Sequence, residues 1–375
     1  MLQTKFPQLP KFGFLAIALL LTACYSDTNS KISGGYTELD RAIEQVIDHT
    51  IIPTMDNMQV NSNNSNLLAI QFCNNKTADN LLLLQNQWKA TNQAWYKLLP
   101  FILGPLETTD ALSESAVSYI DSHRDRGNDY KTPIRTDITA MLALTKEDLN
   151  ATYFSSKNFT LTGLLALELL TFERSDDQDQ DNSTILAEYT AQDLKCDILL
   201  GQSIELLRRI ELAQIGWKTD YRDSGKSYRD LLINKELEST FTGIGDPDGT
   251  GIPAFTRIIV SMQEYYDYLG KRNVTLNSAQ ISGAIWPALS QSALITSEVL
   301  SGTDATTLSL YQLMNNGYQP DVAFVKSNII IFEESISSEN TAEIIAAAKV
   351  LDGNLKREIP EALNIALGLN FNDGD

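Results

Sequence analysis

The chain has 375 residues, with 48 acids against 29 bases, 3 cysteines and 2 histidines. A hydrophobic share of 43% and a charged share of 21% describe a packed globular chain, long enough for one large domain or two ordinary ones. The net charge of −19 argues against nucleic acid as a partner, because no basic surplus exists to displace counterions from phosphates. The few histidines and scattered cysteines leave little material for a His-rich or Cys-rich zinc centre.

In chain order, the first element is an address. Residues 1–23 carry Lys5 and Lys11 and no acid. The apolar run from Phe12 to Leu21 is too short to span a membrane, which needs about 20 residues. A basic flank, a short apolar core and small residues after it read as an export signal. Its end, Leu21-Thr22-Ala23-Cys24, resembles the bacterial lipobox, in which the cysteine is lipidated and becomes the first residue of the mature chain. A plain secretory signal with an incidental cysteine is the other reading. The lipobox implies a periplasmic protein held to a membrane by a lipid on Cys24. Tyr25 stands where an Asp would mark retention at the inner membrane, which points to the outer one. Residues 24–35 are polar, end in Gly34-Gly35 and read as a short tether. Exported thiols meet oxidising conditions. With Cys24 committed to lipid, Cys73 and Cys196 remain. They form either one disulfide, closing a loop of about 120 residues, or two separate buried thiols.

The body reads as helices. In 36–52, Tyr36, Leu39, Ile43, Val46, Ile47 and Ile51 recur at spacings of three and four. In 77–99 the same pattern runs through Leu81, Leu84, Trp88, Thr91, Trp95 and Leu98. Further helices are predicted over 160–173, 184–213, 225–240, 253–270, 278–300, 320–336 and 340–365. No alternating run is bounded by hairpin turns, so strands are not predicted. The breaks are short and polar, as between antiparallel helices in bundles. A composition shift at 214–226 divides the body into 36–213 and 214–375, two helical bundles side by side.

The helix 160–173 is apolar nearly all round and should be central. Glu168 lies at helical spacing from Leu161, Leu164, Leu165 and Phe172, inside the buried stripe. Glutamate is rarely buried without a partner, and burial raises its pKa unless a cation or donors compensate. It is either a ligand or acid/base carboxylate in an interior cleft, or a structural residue paired with an arginine or with backbone amides. The run from Trp95 to Leu106 ends a helix at Pro100 and turns at Gly104-Pro105; its aromatics either line a pocket or pack the core. Asp177, Asp179, Asp181 and Glu188 fall at calcium-loop positions, but Asn182 stands where glycine is needed, so a solvated acidic connection is the better reading. The segment from Gly243 to Gly251 looks like a phosphate or cation cradle without its Gly-Lys-Ser/Thr ending, and reads as a loop. His49 and His123 belong to no His-Glu-x-x-His pair, and no Gly-x-Ser-x-Gly elbow exists.

Three segments together resemble the imelysin family, also called peptidase family M75, over roughly 36–375. The first is Gln87-Trp88-Lys89-Ala90 through Trp95 to Phe101 and Gly104-Pro105, similar to the family's tryptophan helix closing in Phe-x-x-Gly-Pro. The second, from Gly163 to Leu170, occupies the place of the Gly-x-His-x-x-Glu motif: Gly163 and Glu168 match, while Leu165 stands at the histidine. The third is the close from Gly368 to Asp375. The resemblance implies an all-α fold of two helical-bundle domains related by duplication, with a cleft between them, and a role in bacterial iron uptake. Trp95, Phe101, Gly104, Pro105, Gly163 and Glu168 carry over as expected pocket residues. Arg257, in Pro253-Ala254-Phe255-Thr256-Arg257, falls about where the second domain offers an arginine, and facing Glu168 it would compensate a buried carboxylate. With the histidine replaced, the expected protein is non-catalytic, with no metal or cofactor. Its partners would be the membrane, through the lipid, and an unknown ligand or envelope protein of iron uptake. The rival readings are a metal-dependent M75 peptidase, whose oxygen donors at Glu168 would favour hard cations over zinc, and a structural envelope module.

Overall fold

Thr37 starts the first helix, α1 (Glu38–Val46). Its hydroxyl accepts from the Asp40 N–H at 3.0 Å, and the Asp40 carboxylate accepts from the Thr37 N–H at 2.9 Å. This reciprocal cap satisfies donors that a helix start leaves unpaired. The structure, a computed structural model, describes residues 31–32, 36–107, 116–122, 129–173, 181–237, 240, 253–271, 279–304, 306–317 and 319–365. Just before α1, Lys31–Ile32 and Tyr36–Thr37 form a two-residue antiparallel ladder, with Lys31 opposite Thr37. Every regular element after Thr37 among the described residues is helical, so the all-α expectation holds.

α1 continues through a π-helical turn, Ile47–Ile51, into α2 (Ile52–Asn74). Pro53 gives the wide turn a cause. It has no N–H for the His49 carbonyl, and in a regular α register its ring would press on that carbonyl. α2 packs along α3 (Ala78–Leu98) and α9 (Asp193–Lys218). A disulfide joins Cys73 at the end of α2 to Cys196 at the start of α9, with Cα atoms 5.6 Å apart. At the other end of this antiparallel pair, Lys218 reaches Asp56 at 2.9 Å. Shorter helices surround the three: α4 (Ala116–Ile120), α5 (Lys131–Met141), α6 (Ala151–Ser155), α7 (Gly163–Phe172), α8 (Asn182–Ala191) and α10 (Tyr228–Ile233). All ten residues of α7 are buried, as its apolar circumference requires, and it packs on α3 and α9.

A second group holds α11 (Ala254–Lys271), α12 (Ile285–Ser301), α13 (Leu310–Gly317), α14 (Gln319–Ser337), α15 (Thr341–Lys356) and α16 (Glu358–Ala362). α15 packs on α11 and α14; α12 packs on α14 and also on α3 of the first group. The turn 99–101 rests on α11, and one apolar cluster runs through both groups. The position 213/214, expected as a junction, lies inside α9, which runs on to Lys218.

Several elements differ from their sequence-based expectation. The first predicted helix ends at residue 52, yet the helical path runs on through α2 to Asn74. The stretch 184–213 is two helices, α8 and α9, separated at Gln192. Residues 279–284 are turns that lead into α12 rather than its first turns. The signal, the tether apart from Lys31–Ile32, Cys24, His123, the 243–251 loop and the close at 368–375 lie outside the described residues. No described helix is long and apolar enough to cross a membrane.

Candidate functional site

The site is built around the start of α7. Gly163 has φ +80°, a conformation glycine adopts without strain. A Cβ there would collide with the backbone carbonyls of Tyr119 and Ile120. The glycine therefore lets α7 begin directly against the end of α4. Asp121 follows that end, and Glu168 lies five residues into the helix.

Glu168 is completely buried. Its Oε1 accepts from the Ser282 N–H at 2.8 Å, across from the turn that leads into α12. Its Oε2 is buried with no hydrogen-bond partner among the described residues. Burial pushes its pKa up to about 8. Hydrogen bonds from Ser282 and the charge of Lys131 oppose that rise, while the charge of Asp121 adds to it. This shift favours the protonated acid at neutral pH. Lys131 itself bonds Gln280 at 2.8 Å, in the same turn.

Trp95 belongs to this constellation. Its indole N–H donates to Asp121 Oδ2 at 3.0 Å, tying α3 to the residue after α4. Trp88 donates to the Leu164 carbonyl at 3.2 Å, one turn from Glu168. Asn92 shares the face of α3 with these tryptophans, at spacings of four and three. Both polar atoms of Asn92 and the hydroxyl of Ser122 are buried without a hydrogen-bond partner among the described residues. Buried polar atoms are nearly always paired, so unspent capacity of this kind is what bound water or a small ligand takes up.

The motif positions converge on the 279–284 turn, but with different chemistry. Leu165 packs with Ile134, Ala166 and Leu169, flanked by Ile281, next to the Ser282 that binds Glu168. The position where the family motif carries histidine is thus an apolar contact. Among the described residues no three His, Cys, Asp or Glu side chains come together around one point. Among the described residues the metal-donor atoms at the motif are carboxylate oxygens, Asp121 held by Trp95 and Glu168 held by Ser282, with no histidine nitrogen beside them. This set does not fit zinc, and no chemical step through a metal follows from it.

The other expected residues form a second place. Gly104, with φ +56°, lies under the Tyr228 ring, where a Cβ would collide. Its N–H donates to Glu107 at 3.1 Å. Gly104 and Arg257 line a cavity of about 170 Å³ with Glu107, Tyr221, Arg222 and Tyr228. Burial raises the Glu107 pKa, against the pull of the Gly104 N–H, Arg257 and Arg222. Arg257 therefore acts on Glu107; the cation that acts on Glu168 is Lys131. Pro105 packs against Gly216 of α9, and Phe101 is a buried core residue. Trp95, Gly163 and Glu168 come together; Gly104 and Arg257 meet elsewhere.

Asp121, Lys131, Ser282 and Glu107 are missed by sequence reasoning. Asp121 leaves one trace, an acid following an apolar stretch; Lys131 and Ser282 leave none. Of the calcium-loop candidates, Asp177 and Asp179 lie outside the described residues. Asp181 caps α8 through Ser183 and Thr184, and Glu188 pairs with Lys195.

The sequence profile of the imelysin family, peptidase family M75, matches residues 51–284. No curated protein matches the chain. Two solved structures share the fold. An imelysin-like protein from Psychrobacter arcticum 273-4 superposes with a TM-score of 0.59 at 14% identity, covering 88% of this chain and 98% of that one. A candidate iron-regulated protein A precursor from Parabacteroides distasonis ATCC 8503 superposes with a TM-score of 0.65 at 12% identity, covering 86% and 95%. With the profile spanning more than half of its length, this chain belongs to the imelysin family.

Proposed function

We propose that this protein is a non-catalytic imelysin-like lipoprotein of bacterial iron uptake, which binds a ligand or an envelope partner at the Glu168 seam. The family membership and the name of the Parabacteroides relative support the link to iron. The Leu21-Thr22-Ala23-Cys24 lipobox supports anchoring through Cys24, and Tyr25 supports the outer membrane, with the body in the periplasm. The observation that carries the binding role is a completely buried Glu168 whose Oε2 has no hydrogen-bond partner among the described residues. Leu165, in its apolar cluster, supports the non-catalytic reading, because it replaces the motif's nitrogen ligand by an apolar contact.

The Glu168–Ser282 bond also favours a structural role, since it ties α7 to the turn before α12. Two assays of the purified protein separate the readings. The first measures bound zinc and chelator-sensitive proteolysis, and both should be absent. Stoichiometric zinc with chelator-sensitive cleavage would establish the peptidase instead. The second compares Glu168→Gln with wild type for stability and for rescue of a deletion strain under iron starvation. A folded variant that fails to rescue supports the binding role. An unstable variant that still rescues supports the structural one.

A further inference from the structure

In the first group, α2 lies between α9 and α3, and the three form a layer with an open outer face. Towards α9, α2 presents Asp56, Asn66 and Cys73. Asp56 accepts from Gln214, Asn66 accepts from Ser203 at 3.0 Å, and Cys73 is bonded to Cys196. Towards α3 it presents Asn61, Ser65 and Gln71, which meet Gln87, Thr91 and Asn80 at 2.8–3.0 Å. At about 100° per residue, Val60 and Leu67 fall between these two sets, on the side of α2 that neither neighbour covers. Leu83 lies between Asn80 and Gln87 on α3, and Ile204 and Ile215 directly follow Ser203 and Gln214 on α9, so all three flank that side. These five aliphatic residues are each 45–54% exposed.

The charge pattern selects the occupant. Residues 57–75 of α2 and 80–88 of α3 contain no charged side chain, and α9 adds Arg208 and Glu211, of opposite sign. In a chain of net charge −19, two copies repel over most of their surfaces, and least across this face. Ion pairs close its two ends, Lys76 with Asp193 at 2.6 Å and Lys218 with Asp56 at 2.9 Å. An apolar, uncharged centre with a charged margin is the anatomy of a protein–protein contact. Around a twofold axis each residue meets its own copy. A charge there would meet its like, whereas an aliphatic side chain, or a carboxamide with both a donor and an acceptor edge, meets itself without conflict. Asn63 and Asn64 lie midway between Val60 and Leu67 and make no side-chain hydrogen bond among the described residues. An axis passing there sets Val60 of each copy against Leu67 of the other. The five aliphatic residues offer on the order of 400 Å² of apolar surface, the size of patch that marks an interaction site. Two such faces, with the carboxamides between, reach the roughly 1,200 Å² at which stable interfaces begin.

We propose that the outer face of α2, α3 and α9 is the contact of a twofold dimer of this chain, centred on Asn63 and Asn64. Glu168 takes no part in this contact, which does not depend on the function proposed for that residue.

Sedimentation of the purified protein at concentrations up to about 100 μM tests this. The expected species has twice the mass of one chain, in equilibrium with the monomer. Leu67→Asp buries a carboxylate in the contact and should weaken the dimer about tenfold or more. Leu83→Asp should act in the same direction, and it carries the test should Leu67→Asp fail to fold. Phe324→Asp, at an exposed position of α14 outside this face, should leave the dimer unchanged. Under mild oxidation Asn64→Cys should give a disulfide-linked dimer, since the introduced thiol meets its own copy, while Phe324→Cys should not. A monomer throughout the concentration range overturns the proposal. So does a dimer that both Leu67→Asp and Leu83→Asp leave intact, or one that Phe324→Asp weakens as strongly. A monomer that binds phosphatidylglycerol vesicles, and loses that binding in Leu67→Asp, overturns it in favour of a membrane contact.

Discussion

At the scale of single residues, Glu168 is where function and stability oppose each other. Its pKa is raised by burial to about 8 from an ordinary value of 4.5. Between those values the unfolded chain has released the proton while the folded chain keeps it, so the group's contribution falls as pH rises through that window and levels off above about 8. Glu168→Gln removes the titration and keeps an oxygen for the Ser282 N–H. The melting-temperature difference between variant and wild type should therefore shift in the variant's favour from about pH 5 to about pH 8. Expressed as unfolding free energy, the shift should reach about 4 kcal/mol at most, roughly 1.4 per pH unit. A difference that stays constant with pH would mean the carboxyl is not held protonated. Gly163 is the second decisive residue. Gly163→Ala forces a positive φ on a side chain and drives its Cβ into the Ile120 carbonyl. Denaturant unfolding should show a loss of about 2–3 kcal/mol or more. A near-neutral result would mean that α7 and α4 separate easily.

At the scale of elements, the disulfide between α2 and α9 is the clearest staple. Replacing both Cys73 and Cys196 by serine opens a loop with a sequence separation of 123. The loop-closure model assigns this up to about 5 kcal/mol, so thermal unfolding should fall by roughly 10 °C. An unchanged melting temperature would show that helix packing alone holds the pair. Elements were legible in the sequence to the extent that their faces differ in polarity. α3 and α11 alternate apolar and polar at helical spacing, and both appear within two residues of their expected ends. α2 was not legible past residue 52 because Pro53 argues for a break and Asn61 to Asn66 are all Asn or Ser. The π-turn absorbs the proline, and packing against α3 and α9 supplies what the local sequence lacks. Glu168 was legible because it is the one acid within an apolar run. Its partners Asp121, Lys131 and Ser282 were not, since they reach it from other helices and turns and carry no local signal.

At the scale of the whole molecule, α7 belongs to the first helix group while Ser282 introduces the second, so Glu168 lies where the two groups meet. A ligand there would report on how the groups are held together. The proposed role of Glu168 in iron uptake is binding and not catalysis. Growth under iron limitation of a deletion strain carrying Glu168→Gln tests it most directly, with the variant's abundance matched to wild type. Growth as poor as that of the deletion is expected when iron is scarce, and normal growth when iron is supplied. Wild-type growth of the Glu168→Gln strain under iron limitation would contradict it.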